Sequence, residues 1–92
     1  MPVMVKDEAR AFALNSFLSY LSKQDLTVQR DSGVASALNI KVTSRVMSSA
    51  IHTALKHGLV RRYRDAEAHD FYDNPVKFTI TPRGREQLSA MS

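Results

Sequence analysis

The chain has no cysteine among its 92 residues, which excludes disulfides and thiolate zinc sites and is compatible with a reducing cytoplasm. No apolar run approaches the roughly 18 residues of a membrane-spanning helix, so no membrane partner is expected. The opening, MPVMVKDEAR, has one short apolar patch followed by acids, which is not the pattern of a secretory signal. The three glycines, Gly33, Gly58 and Gly84, are isolated from one another, so there is no glycine-rich phosphate loop. The most informative absence is local. From Ser32 to Arg64 there are six Lys/Arg and not one Asp or Glu.

What is present describes one small domain spanning residues 1–92, with 43% hydrophobic and 24% charged residues, enough for a folded core and too apolar for wholesale disorder. Net charge is +4 and the pI about 9.8, which permits a polyanion partner. Residues 1–40 are neutral, with four cations and four anions, whereas the other 52 carry nine cations against five anions. Four of those anions, Asp65, Glu67, Asp70 and Asp73, crowd into one segment after the basic block. No repeat, low-complexity tract or linker interrupts the chain.

The organising stretch is Lys41–Arg64. Val46, Met47, Ala50, Ile51, Ala54 and Leu55 recur at three- and four-residue steps and predict one side of a helix. Its other side carries Arg45, Ser48, Ser49, His52 and Lys56. Thr43 is the expected cap, the helix runs to about His57, and Gly58 ends it. A helix with one apolar face and one acid-free, hydrogen-bonding face suits the major groove of DNA.

The remaining elements read as support for that helix. Asp7 to about Lys23 predicts a helix burying Ala13, Leu14, Phe17, Leu18 and Leu21, flanked by Phe12 and Tyr20, with residues 1–6 a loose tail or short arm. Asp25–Val28 reads as a brief strand or a connector. A helix over about Ser32–Asn39, capped by Asp31 or Ser32, buries Val34, Ala35 and Leu38, and Asn39–Val42 is a turn. Leu59–Arg64 and Val76–Thr81 predict two strands, the second with Val76, Phe78 and Ile80 inward and Lys77, Thr79 and Thr81 outward. Between them lies the loop Asp65–Pro75. Thr81-Pro82 starts a last helix that buries Leu88 and Met91.

These pieces resemble a winged helix-turn-helix domain. The strings VASALNIKVTSRVMSSAIHTALKHGLVRR and VKFTITPRGREQL are similar to MarR- and PadR-type transcription regulators and to small archaeal, phage and plasmid relatives. In those families a Gly-Leu-Val step after the recognition helix recurs with a Thr-Pro-x-Gly-Arg helix start. The resemblance covers about residues 26–88 and implies a mainly α fold with a small β-hairpin (α+β): a three-helix core, a helix-turn-helix over 32–57, a wing hairpin over 59–81 and a C-terminal helix over 82–91. The recognition helix starts about two residues early for the family, and the wing loop is acidic where a phosphate-gripping wing usually offers Arg or Lys.

The function expected on these grounds is sequence-specific binding of double-stranded DNA by a transcriptional regulator, acting as a repressor, in the cytoplasm at the nucleoid. Arg45, in the first helical turn, is placed for guanine, with Ser44, Ser48, Ser49 and His52 nearby. Lys41, Thr43, Lys56, Arg61, Arg62, Arg64 and Lys77 are placed for phosphate, so that the wing base touches the backbone and the acidic tip stays clear. Capping alone also accounts for Thr43, and solvated charge for any single wing arginine. Homodimerisation through the first and last helices is expected.

Two alternatives are a protein-interaction module using the acidic, aromatic loop 65–75 (with Phe71 and Tyr72) and an RNA- or ribosome-associated winged helix. An enzyme is not expected, nor a cofactor or a metal. His52 and His57 lie on different helix faces, His69 with Asp70 and Asp73 reads as solvated loop charge, and no nucleophile has a recognisable base.

Overall fold

A computed structural model of the chain describes residues 5–28, 31–64 and 76–91. Its elements are α1 (Glu8–Leu21), β1 (Leu26–Val28), α2 (Asp31–Leu38), α3 (Ser44–Lys56), β2 (Val60–Arg64), β3 (Val76–Ile80) and α4 (Pro82–Met91).

Helix α1 begins where Asp7 turns to extended backbone and its Oδ1 accepts from the amides of Ala9 (2.9 Å) and Arg10 (3.2 Å), satisfying two first-turn donors that the helix leaves unpaired. The stripe Ala13, Leu14, Phe17, Leu18 and Leu21 is buried as its spacing predicts. Phe12 does not widen that stripe. It is 53% exposed, one residue before the stripe and so turned about 100° away from Ala13. Tyr20 does pack partly against the core. Of the expected loose tail, residues 1–4 lie outside the described residues, and Val5 is anchored, partly buried against the core.

The stretch after α1 is a strand and not a connector. Leu26–Val28 pairs antiparallel with β3, which makes a three-stranded sheet in the order β1-β3-β2. Leu26 stands opposite Phe78, and both are buried. Three residues carry too little periodicity to announce a strand; the partner β3 decides it. On β3 the expected alternation holds at its centre, with Phe78 buried and Val76 and Ile80 partly buried against the core.

Helices α2 and α3 end in the same way. Asn39 (φ 55°) and Gly58 (φ 68°) adopt left-handed backbone. The amides of Ile40 and Leu59 then bond back to the carbonyls of Ala35 (3.1 Å) and Ala54 (2.8 Å), and those of Asn39 and Gly58 to Ser36 and Leu55. This double bond-back is the Schellman arrangement, which consumes carbonyls the helix end would strand. At its other end α2 already includes both Asp31 and Ser32, so neither is the cap outside the helix that the sequence suggested.

The core gathers where α1, α3 and the sheet meet. Phe17 and Phe78 pack edge to face with ring centroids 5.5 Å apart and planes at 77°, the arrangement that aromatic quadrupoles prefer. Helix α3 adds Met47, Ala50, Ile51 and Ala54, two of them alanines that allow close approach of the backbone. Helix α4 contributes a buried Gln87 and a partly buried Leu88; the Met91 side chain, expected in the core, lies outside the described residues. No helix among the described residues is long and apolar enough to cross a membrane.

One joint closes the hairpin at its base. Thr81 Oγ1 donates to the Gly58 carbonyl (2.6 Å) and accepts from the Gly84 amide (3.1 Å), while the Thr81 amide donates to the Leu59 carbonyl (3.1 Å). A Cβ on Gly84 would lie 2.1 Å from that Leu59 oxygen and 2.6 Å from Ile80 Cγ1. Only glycine lets α4 start so close to the end of α3. The Gly58-Leu59-Val60 and Thr81-Pro82-Arg83-Gly84-Arg85 strings, far apart in the sequence, thus touch.

Candidate nucleic-acid interface

The start of α3 fixes the orientation of its outer face. Thr43 is extended, and its Oγ1 accepts from the Val46 amide at 3.2 Å. This capping bond is the expected one, and it commits the Thr43 hydroxyl to the helix start. Arg45 then falls in the first turn. Ser44, Arg45, His52 and Lys56 are exposed, as are Lys41 and Thr43 in the approach to the helix. Ser48 and Ser49 are half-buried, and Ser48 has a polar partner within the chain. Among the described residues, no hydrogen bond or ion pair holds the side chains of Lys41, Arg45, His52 or Lys56. Buried Met47, Ala50, Ile51 and Ala54 pin the opposite face, so the outer face is polar, basic at several points and without a carboxylate.

The wing base is less uniform than its arginine run suggests. The register sets Arg61 opposite Thr79, Arg62 opposite Phe78, Tyr63 opposite Lys77 and Arg64 opposite Val76. Opposed residues share a sheet face. Arg61 therefore stands with Thr79, Tyr63 and Lys77 on the outer face, while Arg62 occupies a position on the face of Phe78. Consecutive residues of the strand thus take opposite faces of the hairpin. Arg61 and Arg62 are both exposed; Lys77 is half-buried and already engaged within the chain. The Arg64 side chain and the whole acidic loop 65–75, with His69, Phe71 and Tyr72, lie outside the described residues.

Two features had not been singled out in the sequence. Tyr63 donates its hydroxyl to Asp25 Oδ2, linking β2 to the approach of β1 across the central strand. The signal was faint, since neither residue belongs to a motif. Second, a groove of about 340 Å³ runs beside α3, lined by Lys6, Asp7 and Arg10 on one side and Ser49, Thr53 and His57 on the other, with Leu14 and Ala50 deeper in. Counting residues 1–40 as electrically neutral had hidden the two cations at its edge.

The architecture has close counterparts among solved structures. It matches BldR, a transcriptional regulator from Sulfolobus solfataricus, at a TM-score of 0.64 and 26% identity, over 87% of this chain and 51% of that one. A transcriptional regulator from Clostridium thermocellum, Cth-833, superposes at 0.66 with 20% identity, over 96% of this chain and 84% of its own. MepR, a transcription regulator of the Staphylococcus aureus multidrug efflux pump MepA, matches at 0.59 with 19% identity, over 91% and 53%. The fold is a winged helix-turn-helix similar to that of MarR-type regulators. In that fold α2 and α3 are the helix-turn-helix pair, and β2 and β3 form the wing hairpin. The chain spans about half the length of BldR and of MepR. No protein-family model matches the sequence, and no curated protein does.

Proposed function

We propose that this protein is a sequence-specific double-stranded DNA-binding regulator of transcription that represses by occupying an operator with α3 in the major groove. The observation that carries this reading is the outer face of α3: exposed, free of carboxylates, with Arg45 unpaired among the described residues in its first turn. The likeness to solved transcriptional regulators supports it. A guanidinium there reaches guanine O6 and N7 as a bidentate pair. Ser44, Ser48, Ser49 and His52 contact base edges or nearby sugar, and Lys41, Lys56, Arg61, Arg62 and Arg64 position the helix on phosphate. Two copies, meeting through α1 and α4, read a two-fold site with half-sites one helical turn apart. The protein works in the cytoplasm, at the nucleoid.

The test is fluorescence anisotropy of the purified protein on random duplex DNA and on DNA upstream of its own gene, across a salt series. Log affinity should fall linearly with log salt with a slope near about −4 to −5, the value for about five phosphate contacts. Preference for the upstream duplex supports autoregulation. Absence of binding to either at low salt sinks the reading and directs attention to the loop 65–75 and a protein partner, while preference for structured RNA replaces it with an RNA-binding one.

A further inference from the structure

The groove beside α3 has an ordered construction. Ser49 and Thr53 on α3 and His57 at its C-cap are spaced four residues apart along one side, and Lys6, before α1, and Arg10, in its first turn, line the groove from the other element. Val5 also lines the groove, and buried Leu14 and Ala50 are its apolar floor. Lys6 and Arg10 are exposed, and among the described residues neither has a hydrogen-bonding or ion-pairing side-chain partner. The carboxylate in the groove, Asp7, accepts from the Ala9 and Arg10 amides, so its charge is turned onto the positive end of the α1 dipole. Ser49 belongs to the outer face of α3, one turn on from Arg45, so the groove opens directly off the surface assigned to DNA.

From this we infer that Lys6 and Arg10 form a second phosphate anchor, holding the DNA strand that borders the recognition helix on its Ser49–Thr53–His57 side. The inference rests on the proposed function and adds an element to it. A helix in a major groove about 12 Å wide has a phosphate strand along each flank, and the small hydroxyl residues Ser49 and Thr53 leave that flank low. A strand passing there meets hydroxyl donors from α3 and two exposed cations, Lys6 just before α1 and Arg10 in its first turn. Neither cation reads a base. Their part is to fix the depth and tilt of α3, so their loss weakens all sequences alike.

The test compares wild type with the double variant Lys6→Ala/Arg10→Ala on random and on upstream duplex DNA, by anisotropy between 50 and 200 mM salt. Each lost phosphate contact flattens the log–log slope by about 0.9, so the double variant should be shallower by about 2. Wild type should then lose about tenfold more affinity than the variant across that salt range, with preference for the upstream duplex unchanged. Lys23→Ala, at the far end of α1, removes a cation outside the groove and should leave the slope where it was. Circular dichroism and thermal melting confirm that both variants fold; the exposed positions of Lys6 and Arg10 make loss of the fold unexpected. A double variant with the wild-type slope overturns the anchor and leaves the proposed function standing. Equal flattening by Lys23→Ala also overturns it, since bulk charge would then be the cause. Wild type that binds no DNA overturns both.

Discussion

Helices α1 and α3 are nearly equal in length, 14 and 13 residues, and they pack against each other, yet they divide the work of the molecule unequally. Helix α1 buries Leu14, Phe17, Leu18 and Leu21, large side chains that supply much of the core. Helix α3 buries Met47 and Ile51 with two alanines. Of the two, α1 thus supplies the larger apolar side chains, while its outer face mixes Glu8, Arg10 and exposed Phe12 with small polar residues. The helix with the distinctive outer face is held close by small side chains. If α3 reads DNA as proposed, stability and recognition sit mainly on different helices, and substitutions should reveal the division.

The largest effect is expected inside α1. Phe17→Ala removes a side chain with no solvent exposure that packs on Phe78, and should cost about 3–5 kcal/mol in chemical denaturation. For a small domain whose whole stability is about 5–15 kcal/mol, DNA binding would then fall only as far as folding does. Gly84→Ala should cost about 1–3 kcal/mol by overpacking, read as a lowered melting temperature, because its Cβ would collide with the Leu59 carbonyl. A normal melting temperature would show that α4 can slide away from α3.

Arg45→Ala inverts the pattern. It should leave denaturation unchanged within about 0.5 kcal/mol and weaken specific DNA binding by about 1–3 kcal/mol. A drop in stability instead would place Arg45 on the structural side of the division. Thr43→Ala is intermediate, expected to lose about 1 kcal/mol of stability through its cap, with Thr43→Ser restoring it. Phe12→Ser should be the mildest, within about 0.5 kcal/mol for the monomer. A melting temperature that becomes less dependent on protein concentration in that variant would put Phe12 at the contact between two copies.

The parts legible in the sequence are those decided by neighbours along the chain. The α3 stripe, the Thr43 cap and the Gly58 stop all follow from residues within a turn or two of each other, and each appears where its spacing put it. What depended on distant partners was not legible. Leu26–Val28 becomes a strand because Val76–Phe78 lies beside it, and the need for glycine at 84 comes from a carbonyl 25 positions earlier. The wing arginines are a different case. Strand alternation alone sends Arg61 and Arg62 to opposite faces, and the register with β3 says which face is which. The cations at Lys6 and Arg10 were hidden by averaging, since neutrality over forty residues says nothing about which charges meet α3.

The joint of Gly58, Leu59, Thr81 and Gly84 has a consequence for chain entropy. Because the hairpin is tied off at its base, the eleven residues from Asp65 to Pro75 close a loop whose ends are already held together. The cost of such a loop rises only with the logarithm of its length, about 0.6 kcal/mol for each doubling. A wing twice as long, or one rebuilt with the opposite charge, would leave the clasp beneath it almost unstrained. Variation in length is therefore inexpensive between Arg64 and Val76 and costly at the clasp itself, so a new binding preference could be acquired at the wing while the seat of α3 stays as it is.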